Sequence, residues 1–190
     1  MNTKELTFAL MMGALGSALF AISYYAGQIA PGIAFDFSLI AALIAGFFGG
    51  PITGFTAGLI VGVLPGIMFG PLGMGGIAGL IGLPIGKGLS GLSAGLVSRV
   101  LELGKKKRSP LWGIPSTYLS YVPESIFTYA YFVFLLGIKT GGTVFLTSIL
   151  PKALVEVTLI GIIMVALMRN TGFSNFVRIH SIKSKANDKS

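Results

Sequence analysis

The sequence predicts an all-α integral membrane protein in which six transmembrane helices form one bundle. Of the 190 residues, 53% are hydrophobic and only 11% are charged, and the mean hydropathy is +0.85. An ordinary soluble domain has roughly a quarter of its residues charged. The apolar residues also fall into runs of the length needed to cross a bilayer core of ~30 Å. A soluble globular chain is therefore excluded.

Turn and charge signals separate six apolar runs. The first is too long and too rich in small residues for a signal peptide, so we expect it to remain as a helix. The break Gly49-Gly50-Pro51 predicts a tight hairpin between the second and third helices. Pro71, Pro84 and many glycines predict a loop or broken segment over residues 70–84. The predicted helices cover residues 6–25, 35–50, 52–68 and 85–103, with the last two lying within 111–136 and 144–168.

The basic residues predict the orientation, because Lys and Arg in short flanking segments stay on the cytoplasmic side. With both termini cytoplasmic, 11 of the 14 Lys and Arg lie inside and three remain, namely Lys87, Lys139 and Lys152. Residues 1–169 are then the six-helix transmembrane domain and residues 170–190 a basic cytoplasmic tail. The basic run at 105–108 reads as a topogenic loop beside the bilayer, not as a nucleic-acid site. We expect a multi-pass protein of the cell membrane.

Most catalytic chemistry is missing from the chain. There is no Cys, and the single His, His180, lies in the tail, so neither a metal site nor a Ser/His pair is expected within the membrane. The stretch Gly88-Leu89-Ser90-Gly91 matches the GxSG pattern of rhomboid-type proteases, but without a base Ser90 is expected to be a small packing residue. No phosphate-binding loop is present. We predict no enzyme activity, no metal and no cofactor.

Charged side chains at membrane depth cost about 2.5–3.5 kcal/mol each on insertion scales, so each is a functional candidate. Lys87, Glu124, Lys152 and Glu156 fall within the predicted helices, and Asp36 stands out near an outer loop. Lys152 and Glu156 are four residues apart and so share one helix face, where they could pair.

The fifth predicted helix carries one polar and aromatic face, and both this face and that of Lys152 and Glu156 are expected to turn inward. Two readings stay open: Glu124, Lys152 and Glu156 form a structural ion-pair cluster that joins helices five and six, or they bind a ligand. Two carboxylates against one ammonium, with aromatic rings nearby, favour a small organic ligand, and a cationic or amine-bearing one. The candidate substrate-binding residues are Asp36, Lys87, Tyr121, Glu124, Thr128, Tyr131, Lys152 and Glu156.

The first predicted helix has a side made almost wholly of small residues. Gly13 and Ser17 are four apart, as are Ala14 and Ala18, a spacing that allows another helix to approach closely. These four residues are candidates for docking a partner. Packing within the bundle is the alternative, because small residues with the same spacing recur along the chain.

Six spans in about 190 residues, the segment Ala14-Leu15-Gly16-Ser17-Ala18, the hairpin at residues 46–54 and the Gly-rich fourth segment resemble the substrate-binding S components of energy-coupling factor (ECF) vitamin transporters. The resemblance covers about residues 5–168. It implies that Ala14 and Ala18 dock on a separate membrane coupling subunit driven by two cytoplasmic ATPases, and that a micronutrient binds near the outer side. Metal-transporting relatives begin Met-x-His, whereas this chain begins Met1-Asn2-Thr3, which argues against cobalt and nickel.

Two functions follow as hypotheses. The first is the substrate-binding subunit of an ECF-type importer for a vitamin or a related small molecule. The second is a non-transporting membrane scaffold, because the rod-shape morphogenesis membrane proteins look similar in size and number of spans. A small molecule bound tightly to the purified protein would favour the first.

Overall fold

The computed structural model describes residues 1–26, 28–30, 33–73, 75–102, 109–170 and 172–173. Within these residues the chain is predominantly helical, as predicted. The α-helices are α1 (Thr3–Ala26), α2 (Leu39–Gly49), α3 (Pro51–Phe69), α4 (Gly76–Val100), α5 (Gly113–Val144) and α6 (Leu150–Arg169). A short antiparallel hairpin of β1 (Gln28–Ala30) and β2 (Ile33–Ala34), which the sequence analysis did not predict, lies between α1 and α2. A 3₁₀ turn, Pro110–Trp112, precedes α5, and a π-helical segment, Phe145–Ile149, joins α5 to α6.

Four helical segments are long and apolar enough to cross a membrane, which indicates a membrane protein. They are Thr3–Ala26, Pro51–Phe69, Gly76–Val100 and Lys139–Arg169, found by a search of the described residues. The helix α2 has 11 residues and is ~17 Å long, too short to cross a ~30 Å core by itself. Six complete spans and two cytoplasmic termini remain predictions. The basic run at 105–108 and residues 174–190 of the predicted tail lie outside the described residues.

The hairpin between α2 and α3 forms where the sequence predicts it. Gly50 has a φ of +94°, a conformation that side-chain-bearing residues rarely adopt, and it ends α2. Pro51 then occupies the first position of α3, where its missing N–H costs no helical hydrogen bond. Glycine and proline together therefore allow the chain to reverse without a longer loop.

The helices α3 and α4 lie antiparallel with their backbones in direct contact. A Cβ atom added to Gly54 would overlap the carbonyl oxygen of Gly91, and one added to Gly62 would overlap the Cα of Pro84. The same holds for Gly58 against the carbonyl of Lys87. The regularly spaced glycines of α3 are thus an internal seam, in the way that small residues bring membrane helices together.

The fourth helix begins earlier than the sequence predicts. A loop or broken segment was expected over residues 70–84, but α4 begins at Gly76 and continues through Pro84, so this prediction is wrong. Proline removes one helical hydrogen bond and glycine lowers helix propensity. In the structure, Gly62 and Gly66 of α3 pack against the turn of α4 that contains Pro84 and stabilise it. Local helix propensity does not include such a tertiary contact.

The chain reverses within the range of α5, so that the residues up to Phe132 lie antiparallel to the segment Lys139–Arg169, which contains the end of α5, the π-helical segment and α6. We call this pair the α5–α6 hairpin. The hydroxyl of Tyr118 lies 2.5 Å from that of Thr158, and the ring centroids of Tyr129 and Phe145 are 5.4 Å apart. Nearer the tip, the backbone of Gly141 approaches that of Phe132 so closely that a Cβ would not fit. Residues nine apart on a straight helix are ~13.5 Å apart, so the chain must reverse between these two positions.

Candidate functional site

Lys87 lies at the centre of a buried group of charges. Its ammonium nitrogen is 2.6 Å from Oδ2 of Asp36, in the loop before α2, and 3.7 Å from Oε1 of Glu124 on α5. Lys87 and Glu124 are only 7% and 8% exposed. The backbone of Gly58 covers Lys87 on the α3 side, so its side chain reaches from α4 toward the α2 loop and α5. One ammonium thus connects three parts of the fold.

A second pair of charges joins this group from α6. Oε1 of Glu156 accepts a hydrogen bond of 2.5 Å from the backbone N–H of Asp36, and it lies 3.3 Å from the ammonium of Lys152. Oδ1 of Asp36 accepts a further hydrogen bond from the N–H of Ser38. We call Asp36, Lys87, Glu124, Lys152 and Glu156 the charge cluster.

The charge cluster contains three carboxylates and two ammonium groups. If all five groups are ionised, it carries one net negative charge. Taking ions out of water costs several kcal/mol each, and attraction between partners repays this only partly. Replacing buried ion pairs by packed apolar residues of similar volume is often neutral or stabilising. The cost of burying five charges makes the cluster a candidate functional site.

The sequence analysis placed all five charged residues among its candidates, and the structure brings them together. In the reading of a structural ion-pair cluster, Glu124 would be a partner of Lys152, but among the described residues no ion pair joins these two side chains. Glu124 contacts Lys87 and accepts a 2.5 Å hydrogen bond from the hydroxyl of Ser90, while Lys152 contacts Glu156, as the spacing of four predicts. The ionic contacts therefore join the α5–α6 hairpin to the rest of the bundle, not helix five to helix six.

Ser90 is the residue of the site that the sequence analysis missed. It was expected to be a small packing residue, but its fully buried hydroxyl donates to the Glu124 carboxylate. Ser90 lies one helical turn after Lys87. The side chains of Ser90 and Lys87 therefore both lie on the side of α4 that faces α5. The spacing of three between Lys87 and Ser90 places them on one helix face, and this spacing was the available sequence signal that Ser90 belongs to the site of Lys87.

A small cavity adjoins Glu124 between α4 and α5. Its open volume of about 10 Å³ is close to the minimum for one water molecule. Two further candidates, Thr128 and Tyr131, line the cavity together with Glu124; the other lining residues are Gly82, Leu83, Gly86 and Phe127. Tyr121 lies one turn before Glu124 on α5 and packs against the hydrophobic core, so it does not line the cavity. Two polar or aromatic candidates of the fifth helix, Thr128 and Tyr131, thus belong to the cavity wall beside Glu124.

The four docking candidates on α1 divide between two faces. Ala14 and Ala18 are exposed, whereas Gly13 is buried against Ile60 of α3. Ser17 is half-buried, and its hydroxyl donates to the carbonyl of Gly13 within the same helix. Only Ala14 and Ala18 therefore lie where a partner could touch them. Gly13 has the alternative role, packing within the bundle.

Among the described residues, no three carboxylate, imidazole or thiol groups converge closely enough to hold a metal ion. His180 lies outside the described residues. Comparisons of the chain with protein-family models, with characterised proteins and with solved structures give no match. The candidate functional features of the chain are the charge cluster, the adjoining cavity and the exposed face of α1.

Proposed function

We propose that this chain is the substrate-binding subunit of an ECF-type importer in the cell membrane, which binds a vitamin or a related small molecule. The observation that carries the proposal is the buried charge cluster beside a cavity with one carboxylate and two aromatic rings in its wall. Buried charges in a membrane protein mark a functional site by default, because a structural role is filled at lower cost by apolar packing.

The exposed pair Ala14 and Ala18 supports the second part of the proposal, docking on a membrane coupling subunit. Small side chains on an outer helix face let a second helix approach closely in the bilayer, where packing and not water exclusion drives association. The sequence contains no phosphate-binding loop, so in this proposal ATP is bound and hydrolysed by separate partner ATPases.

The experiment is mass spectrometry of the small molecules released when the purified full-length protein is denatured. The protein is prepared from cells grown in rich medium, and a mock purification from cells without the protein supplies the control. We expect one compound to be released in an amount close to that of the protein. Release of no compound, with cell-shape proteins co-purifying instead of a membrane coupling subunit and ATPases, would contradict the importer and favour the scaffold.

In the present conformation the cavity has room for about one water molecule, so ligand binding requires α5 to move relative to α4 or the rings to turn. A comparison of the protein with and without its released compound by hydrogen exchange tests this. We expect slower exchange in α4 and α5 when the compound is bound, and equal exchange throughout would argue against a site there.

A further inference from the structure

The excess negative charge of the cluster can be assigned to one residue. Asp36 has an ammonium at 2.6 Å and a backbone N–H, and Glu156 has the ammonium of Lys152 and the backbone N–H of Asp36. Among the described residues, Glu124 has the more distant ionic contact with Lys87, at 3.7 Å, and the neutral hydroxyl of Ser90 as its polar partners. Because attraction falls with distance and Lys87 is shared, the least compensated carboxylate is Glu124.

Glu124 is also the charged member of the cavity wall. The other polar groups there belong to Thr128 and Tyr131, and neither carries a charge at neutral pH. A positively charged group entering the cavity would therefore meet the one carboxylate that lacks a close ammonium. An anion entering by the same route would meet Glu124 first and be repelled.

The opposite wall of the cavity belongs to α4. It consists of the backbone at Gly82 and Gly86 together with Leu83, and the two glycines face the rings of α5. A Cβ added to Gly82 would lie 3.0 Å from a ring carbon of Tyr131, and one added to Gly86 would lie 3.6 Å from both Glu124 Cγ and Phe127 Cδ1. In this conformation the rings pack close to the glycine backbone, so a ligand enters only after α5 moves away from α4 or the rings turn. The space that then opens lies between glycine backbone and aromatic rings and would suit a planar group, and ring faces attract cations.

We infer that this cavity takes a flat-ringed organic cation, whose ammonium group binds the carboxylate of Glu124 and replaces Lys87 there. Lys87 then keeps its shorter contact with Asp36. The incoming charge brings the cluster to neutrality. The inference rests on the proposed function, since it names the class of substrate for the same site.

The test uses three probes of the same shape and different charge, added to the full-length protein in lipid nanodiscs at pH 7. They are benzylammonium, benzyl alcohol and benzoate, and binding is measured by calorimetry. We expect benzylammonium to bind at least tenfold more tightly than either of the others, because a hydrogen bond to an ionised partner is the stronger kind. Equal binding of benzyl alcohol, or a preference for benzoate, would overturn the inference.

Two variants have opposite expected effects. Glu124→Gln should weaken benzylammonium binding tenfold or more and should weaken benzyl alcohol binding much less, because a neutral hydroxyl loses less when the carboxylate becomes an amide. Lys87→Met removes the internal competitor for Glu124 and should strengthen benzylammonium binding. Loss of binding in Lys87→Met with unchanged binding in Glu124→Gln would show that Lys87, not Glu124, holds the ligand. Glu5→Gln is the matched control, because Glu5 is a partly exposed acid at the start of α1, outside the charge cluster, whose carboxylate accepts a hydrogen bond from the N–H of Asn2.

Lys87→Met leaves two acids without their ammonium and so puts folding at risk. Melting of each ligand-free variant is therefore measured first, and if this variant does not fold, the Glu124→Gln comparison decides alone. The outcome is separable from that of the importer proposal. A neutral or anionic compound released from the native protein supports the importer and contradicts the cation, whereas benzylammonium binding without any released compound does the reverse.

Discussion

Asp36 and Lys87 are 51 positions apart in the chain, yet Oδ2 of the first lies 2.6 Å from the ammonium nitrogen of the second. The contact fastens the loop before α2 to the middle of α4. The same loop is held by Glu156 of α6 through the N–H of Asp36, and Ser23 of α1 lies 3.5 Å from the N–H of Phe37. One short loop thus receives contacts from three helices.

Replacing Asp36 with Asn should destabilise the ligand-free protein. Lys87 would remain buried with only the more distant Glu124 as its ionic partner, and breaking a buried ion pair is costly. We expect the free energy of unfolding to fall by about 2–4 kcal/mol. Denaturant titration of the protein in mild detergent measures it, with Glu5→Gln as the control. A change no larger than that of the control would mean that the contact contributes little.

Lys152→Met should have a smaller effect on stability than Asp36→Asn. Lys152 is 20% exposed in its side chain, and its partner Glu156 keeps the hydrogen bond from the N–H of Asp36. Partly exposed ion pairs on one helix typically contribute under about 1 kcal/mol. The same titration measures the loss. A larger loss for Lys152→Met than for Asp36→Asn would indicate that Lys152 neutralises more than Glu156.

Gly86→Ala should close the cavity without harming the fold. The added Cβ would make ordinary contacts at 3.6 Å with Glu124 and Phe127, and alanine favours a helix over glycine by up to about 1 kcal/mol. We expect the ligand-free protein to melt at the same or a higher temperature, and binding of the released compound or of benzylammonium to weaken. Unchanged binding by a stable Gly86→Ala protein would place the ligand elsewhere.

A matched pair on α1 separates docking from packing. Ala14→Leu changes an exposed position and should leave melting and ligand binding unchanged while abolishing uptake in cells that contain the coupling subunit. Gly13→Leu should instead lower the melting temperature, because its Cβ would lie 2.6 Å from a methyl carbon of Ile60. Uptake by the Ala14→Leu protein at the normal rate would remove the docking role of this face.

The orientation is tested by reporter fusions. A reporter after Ser190 or in the segment 105–109 should read as cytoplasmic, and one near Gly141, at the tip of the α5–α6 hairpin, should read as outside. The physical reason is the excess of Lys and Arg in the segments expected inside. A reporter at Gly141 that reads as cytoplasmic would contradict the predicted orientation. The bundle would then be inserted the other way round, and the site would face the opposite side of the membrane from the one expected.

The members of the charge cluster could be predicted from sequence, but most of their partnerships could not. A charge within an apolar run is visible by composition alone, and the pair Lys152–Glu156 follows from helical spacing. The contacts of Lys87 with Asp36 and Glu124 depend on how distant segments fold back on one another. No local pattern encodes that distance, and so Glu124 was considered beside Lys152 instead of Lys87.

The glycines of α4 are a second case in which the sequence alone did not predict the structure. Their number on α4 suggested a broken segment, because glycine and proline weaken an isolated helix. In the structure Gly91 and Pro84 meet α3 at backbone distance, so the residues that weaken the helix alone are those that let it pack. The sequence therefore reveals small residues without showing whether they interrupt a helix or join two.

The glycine seam also divides the bundle mechanically. Backbones in contact over several turns cannot slide or tilt apart without losing many contacts together. We therefore expect α3 and α4 to move as one rigid unit. The α5–α6 hairpin contacts this unit through side chains. The polar contacts are the ion pair between Lys87 and Glu124 and the hydrogen bond from Ser90 to Glu124. A movement of the hairpin away from α3 and α4 that admits a molecule to the cavity would have to break the contacts of Glu124 with Lys87 and Ser90, whereas a turn of the rings alone would leave these contacts in place.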